Sequence, residues 1–386
     1  MIIKELRAKA IKDTRGDKTI GVFLKTDFGE FKASAPNGKS KGEHEATPWK
    51  KNINEDIKII NSYPLYQIEI ESFDDLTLLE DIFIKQIGAN SMIAIEYVFL
   101  KALAKKQNKE VWQLINPRAE KMPMPVGNAI GGGAHSSGKK PDFQEFHFIP
   151  ITSNFEKAVK INKRALENCK EILKNVDKNF KAKKNDENAW QTSLTNNQIL
   201  EVMQSVRDNM IDEFKEKMHL GVDVAASTFF SRKKYNYKHE KKKIDSKKQV
   251  ELINNLAKII YYIEDGLEEN DFSGFAKLNS KGLIVGDDLT VTNLDRIIFA
   301  FNKKSINAVI IKPNQNGSLI EVKKIAEFCR KNKIKMIFSH RSGETDENIL
   351  ADLGFGFQAE FIKTGISGKG RDEKLERLIE IERNLV

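Results

Sequence analysis

Only two cysteines, Cys169 and Cys329, occur in 386 residues, far apart in the chain. That excludes a disulfide framework and a thiolate zinc site, and it points to a reducing compartment. Long apolar runs are also missing. The most apolar stretch, residues 92–104, is interrupted by Glu96 and Lys101 and is shorter than the roughly 20 residues a membrane span needs. Residues 1–15 carry Lys4, Glu5, Arg7, Lys9, Lys12 and Asp13, so no secretory signal is visible and a cytoplasmic protein is expected. With 40% hydrophobic and 31% charged residues, the chain is expected to be globular rather than disordered. Its length suits one barrel of roughly 250 residues plus an extra domain.

The formal net charge is +9, and basic and aromatic residues alternate over residues 232–243 (RKKYNYKHEKKK). A nucleic-acid surface is one reading of that pattern. A solvated surface hairpin, with Tyr235 and Tyr237 at period two, is the commoner cause and is preferred; a nucleic-acid partner is not expected. The Lys-rich run at residues 174–184 reads the same way.

Alternating apolar stretches at residues 2–10 and 19–25, with turn signals around Gly16 and Gly29, predict an antiparallel sheet. Helical spacing over residues 75–107, broken at Gly88, predicts two helices. Pro117, Pro123 and Pro125 punctuate the next stretch of chain. The expected division is therefore a small α+β domain over residues 1–120 and a second domain over residues 121–386.

In the second domain, short β-branched runs at residues 220–224, 259–263, 283–285, 308–311, 336–338 and 361–362 each end in a polar residue and precede a helical stretch. The residues so marked are Asp223, Glu264, Asp287, Lys312, His340 and Lys363, at separations of 41, 23, 25, 28 and 23 residues. Such steps predict an α/β fold: a parallel (β/α) barrel that presents one functional residue per strand at its C-terminal rim.

Asp223, Glu264 and Asp287 on adjacent strand ends would make an all-oxygen site for a hard divalent cation such as Mg²⁺. Alone, each reads as a cap or a solvated charge, and Asp265 and Asp288 beside them compete for the same role. Lys312 and Lys363 end strands of the same rim, where a nearby cation would lower a lysine pKa toward that of a base. In SHRSGE, His340, Arg341 and Ser342 offer donors for a phosphate, although Ser342 or Thr345 could equally cap a helix. Gly131, Gly132 and Gly133 before His135 form a flexible loop that matches no nucleotide-binding fingerprint. Glu145 and Glu187 could share a proton; from spacing alone, a salt-bridged strand residue and a surface glutamate are the simpler readings.

These segments together resemble the enolase family along nearly the whole chain. KDTRGDKTIGV is similar to the family's DSRGNPTVEV, and PNGKSKGEHEA to its mobile PSGASTG loop. GANSMIAIEYVFLKALA resembles the GANAILGVSLAVAKA helix, and GGGAHSSGKKPDFQEF the GGAHA…QEF loop. VDVAAS, IEDGL, GDDLTVTN, IKPNQNGSL, SHRSGET and IKTG then occur in the family's order.

The resemblance implies a small N-terminal α+β domain, a TIM-like catalytic barrel and dehydration of 2-phosphoglycerate to phosphoenolpyruvate. It implies two Mg²⁺ ions, with Asp223, Glu264 and Asp287 as ligands of the first and Ser40 joining the second. Lys312 would take the C2 proton, a lysine-plus-Mg²⁺ pairing already established for enolase-superfamily sites. Lys363 would neutralise the substrate carboxylate, Arg341 and Ser342 would hold its phosphate, and His340 would line the site. Glu187 would protonate the departing hydroxyl with help from Glu145, and His135 would lie on the closing loop. At least a homodimer is implied.

Four departures stand out. Asn188, Ala189 and Trp190 replace the family's Gly-Gly-Phe after Glu187, Lys39 and Lys41 replace Ala and Thr in the mobile loop, the segment from His135 to Glu145 is one residue longer, and the chain is shorter over residues 150–220. They keep two alternatives open: an enolase-like paralogue acting on a related phosphorylated or carboxylated acid, and a non-catalytic RNA- or protein-binding role.

Overall fold

The computed structural model describes residues 1–39, 42–64, 68–83 and 85–385. β1 (Ile3–Lys12), β2 (Lys18–Thr26) and β3 (Gly29–Ser34) form an antiparallel sheet in that order. Its apolar face, with Leu6, Ala8, Ile20, Val22, Leu24 and Ala33, is buried and packs on the helix Ala89–Gln107. That helix is covered nearly all round because it also meets the barrel, where Glu96 Oε2 accepts the Leu319 backbone N–H at 3.0 Å. The expected break at Gly88 is present. A Cβ there would stand 2.3 Å from the Trp49 backbone, and Asp56 Oδ2 caps the turn by accepting from Gly88 N and Ser91 Oγ.

The barrel begins with β4 (Met124–Pro125) and β5 (Gly127–Gly131), separated by Val126, and continues with β6 (Glu145–Ile151). The short β7 (Trp190–Gln191) flanks β5, and β8 (Lys217–Asp223) comes next. β9 (Phe230–Ser231), β10 (Lys234–Tyr237) and β11 (Lys242–Ile244) form a separate three-stranded sheet. β12 (Tyr262–Glu264), β13 (Leu283–Gly286), β14 (Ala308–Ile311), β15 (Lys335–Ser339) and β16 (Phe361–Lys363) complete the set. β16 pairs with β4 while β5 pairs with β6, so the sheet closes on itself with eight staves.

The barrel departs from the expected all-parallel form in one stave. β6 runs antiparallel to both β5 and β8. A loop with no crossover helix connects β5 to β6, and direct return forces an antiparallel pair, whereas parallel neighbours need a crossover. Two helices, Phe155–Val176 and Asn196–Phe214, then separate β6 from β8. They return the chain to the end of the barrel that it left. One strand start also moves: Ile259 and Ile260 close the preceding helix by bonding to Leu256 O, so β12 begins at Tyr262.

Period-two alternation decides which residues fill the barrel. Tyr262, Leu283, Val285, Ala308, Ile310, Ile337 and Phe361 pack inside, while Ile263, Ile284, Val309, Ile311, Phe338 and Ile362 join the core under the helices. Continued one step, the inward phase lands on Glu264, Asp287, Lys312, Ser339 and Lys363. The rim chemistry thus sits directly on the apolar plug.

The basic segment does form strands, as expected. Tyr235 and Tyr237, however, are 0% and 1% exposed, their hydroxyls bonded to Glu268 N and Gln249 Oε1. Neither ring is offered for base stacking, which removes the aromatic half of a nucleic-acid reading. Among the described residues no helix is long and apolar enough to cross a membrane.

Candidate active site

The antiparallel stave explains the first pairing in the site. Because β6 runs the opposite way, its first residue, Glu145, registers against the last residue of β8, Asp223, and both reach the same rim. Lys363 Nζ ends β16 and bonds Glu264 Oε1 and Oε2 at 2.9 Å each, with Asp223 Oδ2 at 3.3 Å and Glu145 Oε2 at 3.4 Å. Lys312 Nζ pairs with Asp287 Oδ2. Two ammonium groups therefore stand among four buried carboxylates.

The electrostatics follow from that crowding. Burial pushes the Glu264 carboxyl up to about 8, and Asp223 adds to the rise. Asp223 is raised by burial too, against the pull of Lys363. Burial is the largest single influence on Lys312 and would lower it, but the surrounding attractions, led by the Asp287 charge, together raise the ammonium above its ordinary value. That direction is opposite to the lowering expected of a lysine beside a cation.

His135, Glu145 and Glu187 bring donor atoms within 4.8 Å of one another. His135 Nδ1 is 3.3 Å from Glu187 Oε1 and 3.9 Å from Glu145 Oε1, and Asn128 Nδ2 donates to Glu187 Oε2 at 3.1 Å. Burial and the Glu187 charge raise Glu145. Burial also acts against Glu187, but His135, with His340 and Arg371, holds it well below the usual carboxylate range. The surroundings therefore favour a proton on Glu145 over one on Glu187. Glu187 is 3% exposed, not a surface residue.

The loop after β15 carries the third group. Arg341 Nη2 pairs with Glu45 Oε2 at 2.9 Å and Nη1 donates to Asn314 Oδ1 at 3.1 Å. Ser342 Oγ accepts from Arg15 Nη1 at 2.7 Å and from Lys39 N at 3.0 Å. The next helix, Ile349–Gly356, starts after Asn348, so neither Ser342 nor Thr345 is its cap. Gly38 closes over this loop: a Cβ there would lie 1.9 Å from Arg341 Nη2. Asn37 and Gly343 exchange backbone hydrogen bonds at 2.7 and 2.9 Å, joining the N-terminal domain to the rim.

His135, Glu145, Glu187, Asp223, Asp287, Lys312, His340, Arg341, Ser342 and Lys363 line one cavity of about 30 Å³. Glu264 does not reach it, since Lys363 covers both its oxygens and Tyr262 Oη donates to Oε2 at 2.6 Å. Ser40 lies outside the described residues. Asp265 and Asp288 also face the cavity. Asp265 accepts the backbone N–H groups of Asp287 and Asp288 at 3.0 and 2.6 Å, so it sets the turn that aims Asp287.

Other residues were missed. Glu45 pairs with Arg341, and Gln144 and Gln315 donate to Asp223 and Asp287 at 3.3 and 3.2 Å. Arg371 donates to Asp186 O and Ser342 O at 3.2 and 3.3 Å. Nothing in local spacing marks them. The changed loop after Glu187 is accommodated as well: Asn188 takes φ +64°, a region Asn tolerates better than most residues, and its Nδ2 donates to Ser367 O and Oγ at 2.9 and 3.1 Å.

Residues 119–386 match the family model described as the enolase C-terminal TIM barrel domain. The whole chain is 33% identical to the enolase of Methanosphaera stadtmanae, covering 98% of that protein. This chain belongs to the enolase family. It is also 32% identical to the enolase of Methanothermobacter thermautotrophicus, over 100% of this chain and 97% of that one. With the enolase of Pyrobaculum aerophilum the identity is 35%, over 99% of this chain and 96% of that one. It is a lyase of the phosphopyruvate hydratase type. As in other enolases, a divalent metal cofactor belongs to the site, and the carboxylates fit one: all donors are oxygens, and Asp223 and Glu264 are raised by burial and by neighbouring carboxylates, a cost to their charged forms that a hard cation would relieve.

Proposed function

We propose that the chain catalyses the reversible, Mg²⁺-dependent dehydration of 2-phospho-D-glycerate to phosphoenolpyruvate in glycolysis and gluconeogenesis, as a cytoplasmic homodimer or larger homo-oligomer. One relationship carries the reading. Counting staves around the barrel, Lys312 follows the sixth and Glu145 opens the second, so base and acid face each other across the rim.

The carboxylates of Asp223, Glu264 and Asp287 would hold Mg²⁺, with Ser40 completing a second site, and the ions would supply positive charge to the substrate carboxylate. On that reading Lys312, whose Nζ pairs with Asp287, would accept the C2 proton. Lys363 faces the substrate carboxylate. Arg341 and Ser342, beside His340, hold the phosphate. Loss of the C2 proton leaves its electron pair delocalised into the substrate carboxylate; that pair then forms the C2–C3 double bond as the C3–O bond breaks, and a proton passes from the Glu145–Glu187 pair to the leaving hydroxide, giving water. His135 orients that pair.

Adding 2-phosphoglycerate and Mg²⁺ to the purified protein should give the absorbance rise of phosphoenolpyruvate, abolished by EDTA. Absence of turnover in a protein that still binds Mg²⁺ would move the assignment to another phosphorylated acid.

A further inference from the structure

The cavity among the site residues is small, about 30 Å³. Part of one wall is formed by Gly38 and Lys39, the segment that follows Asn37. Its backbone touches the Arg341–Gly343 loop, and its one long side chain reaches elsewhere: Lys39 Nζ pairs with Asp186, the neighbour of Glu187.

We propose that Lys39 and Asp186 form a releasable latch, making Lys39 a positioning residue that ties closure over the phosphate-binding loop to placement of the Glu187 loop. This rests on the reading of the cavity as the active site. Three observations support it. Both side chains are partly open, 41% and 33% exposed, so the pair can break into water at small cost. Asp186 is held from behind by Arg371, which donates to its carbonyl at 3.2 Å, so a pull on its carboxylate is passed to the backbone carrying Glu187. Lys39 also stands in the field of Lys140, whose own pKa is pushed down by burial and by the charges of Lys39 and Lys238. Asp186 is thus the group that holds Lys39 in place against that repulsion.

The latch is tested with Lys39→Ala, Asp186→Ala, the double variant, and the exchanged pair Lys39→Asp with Asp186→Lys. Turnover of 2-phosphoglycerate and backbone hydrogen exchange at residues 37–39 are both followed. Each single alanine variant should lower kcat/KM about two- to five-fold, and the double variant should lose no more than one of them. The exchanged pair should recover most of the loss, and added salt should shrink the wild-type advantage. Hydrogen exchange should accelerate by a similar factor in the single variants. Losses that add in the double variant, an exchanged pair that stays impaired, or unchanged hydrogen exchange would overturn the latch. The exchange measurement needs no turnover, so it separates failure of the latch from failure of the substrate assignment.

Discussion

Lys363 Nζ donates to both carboxylate oxygens of Glu264, at 2.9 Å each. The ammonium group places positive charge directly beside a residue proposed to hold Mg²⁺. Mg²⁺ should raise the wild-type melting temperature as binding to the folded state alone must. Glu264→Gln should weaken Mg²⁺ binding by at least about 100-fold and abolish most of that rise. An undiminished rise would remove Glu264 from the ligand set.

Lys312 and Glu145 sit on opposed staves, so the role of Lys312 and that of the Glu145–Glu187 pair should separate experimentally. Lys312→Ala should eliminate exchange of the substrate C2 proton with solvent, a loss of about 10² to 10⁴ in rate. Glu187→Gln should preserve that exchange while blocking loss of hydroxide. Equal loss of exchange in both variants would contradict the division of labour.

Asn188 holds the acid loop at φ +64°, so its replacement should depend on backbone freedom more than on size. Asn188→Ala meets the left-handed penalty of about 1–2 kcal/mol, and kcat should fall up to about 10-fold as Glu187 shifts. Asn188→Gly keeps the conformation and loses only the bonds to Ser367, so its kcat should stay closer to wild type. Equal kcat in the two variants would show that φ is not the constraint.

His147 is fully buried, with Nε2 2.9 Å from Glu145 Oε2. Burial and the Lys363 charge lower its pKa from 6.5 to about 3. Between those values the unfolded chain binds the extra proton and the folded one does not. The stability is therefore fully present above pH 6.5 and is lost as the pH falls toward 3, at about 1.4 kcal/mol per pH unit. Urea titrations at neutral pH and about 1.5 units below pH 6.5 should show a loss in the wild type about 2 kcal/mol larger than in His147→Gln. Parallel losses would mean that His147 already carries its proton in the fold.

Much of the site was legible because a barrel strand is a short apolar run with a polar end. For Asp223, Asp287, Lys312 and Lys363, the first polar residue after the run is also the next inward position, so period and chemistry agree. On β15 they part: the inward phase selects Ser339, while His340 lies beyond the strand, where its N–H bonds Lys363 O. Glu145 and Glu187 could be named only through resemblance. Neither lies at the end of an apolar run, and what brings them together is the antiparallel β6 and the pairing of β7 with β5.

Local periodicity and residue type were enough for the barrel, its helical cover, the division of polar ends along the strands and the charge chemistry of the rim. The reversed stave, the burial of Tyr235 and Tyr237, the pairing of Arg341 with Glu45 and the joining of Lys39 to Asp186 emerge only in three dimensions. Those contacts join residues far apart in the chain, and their partners are chosen by how the sheet closes rather than by any spacing along it.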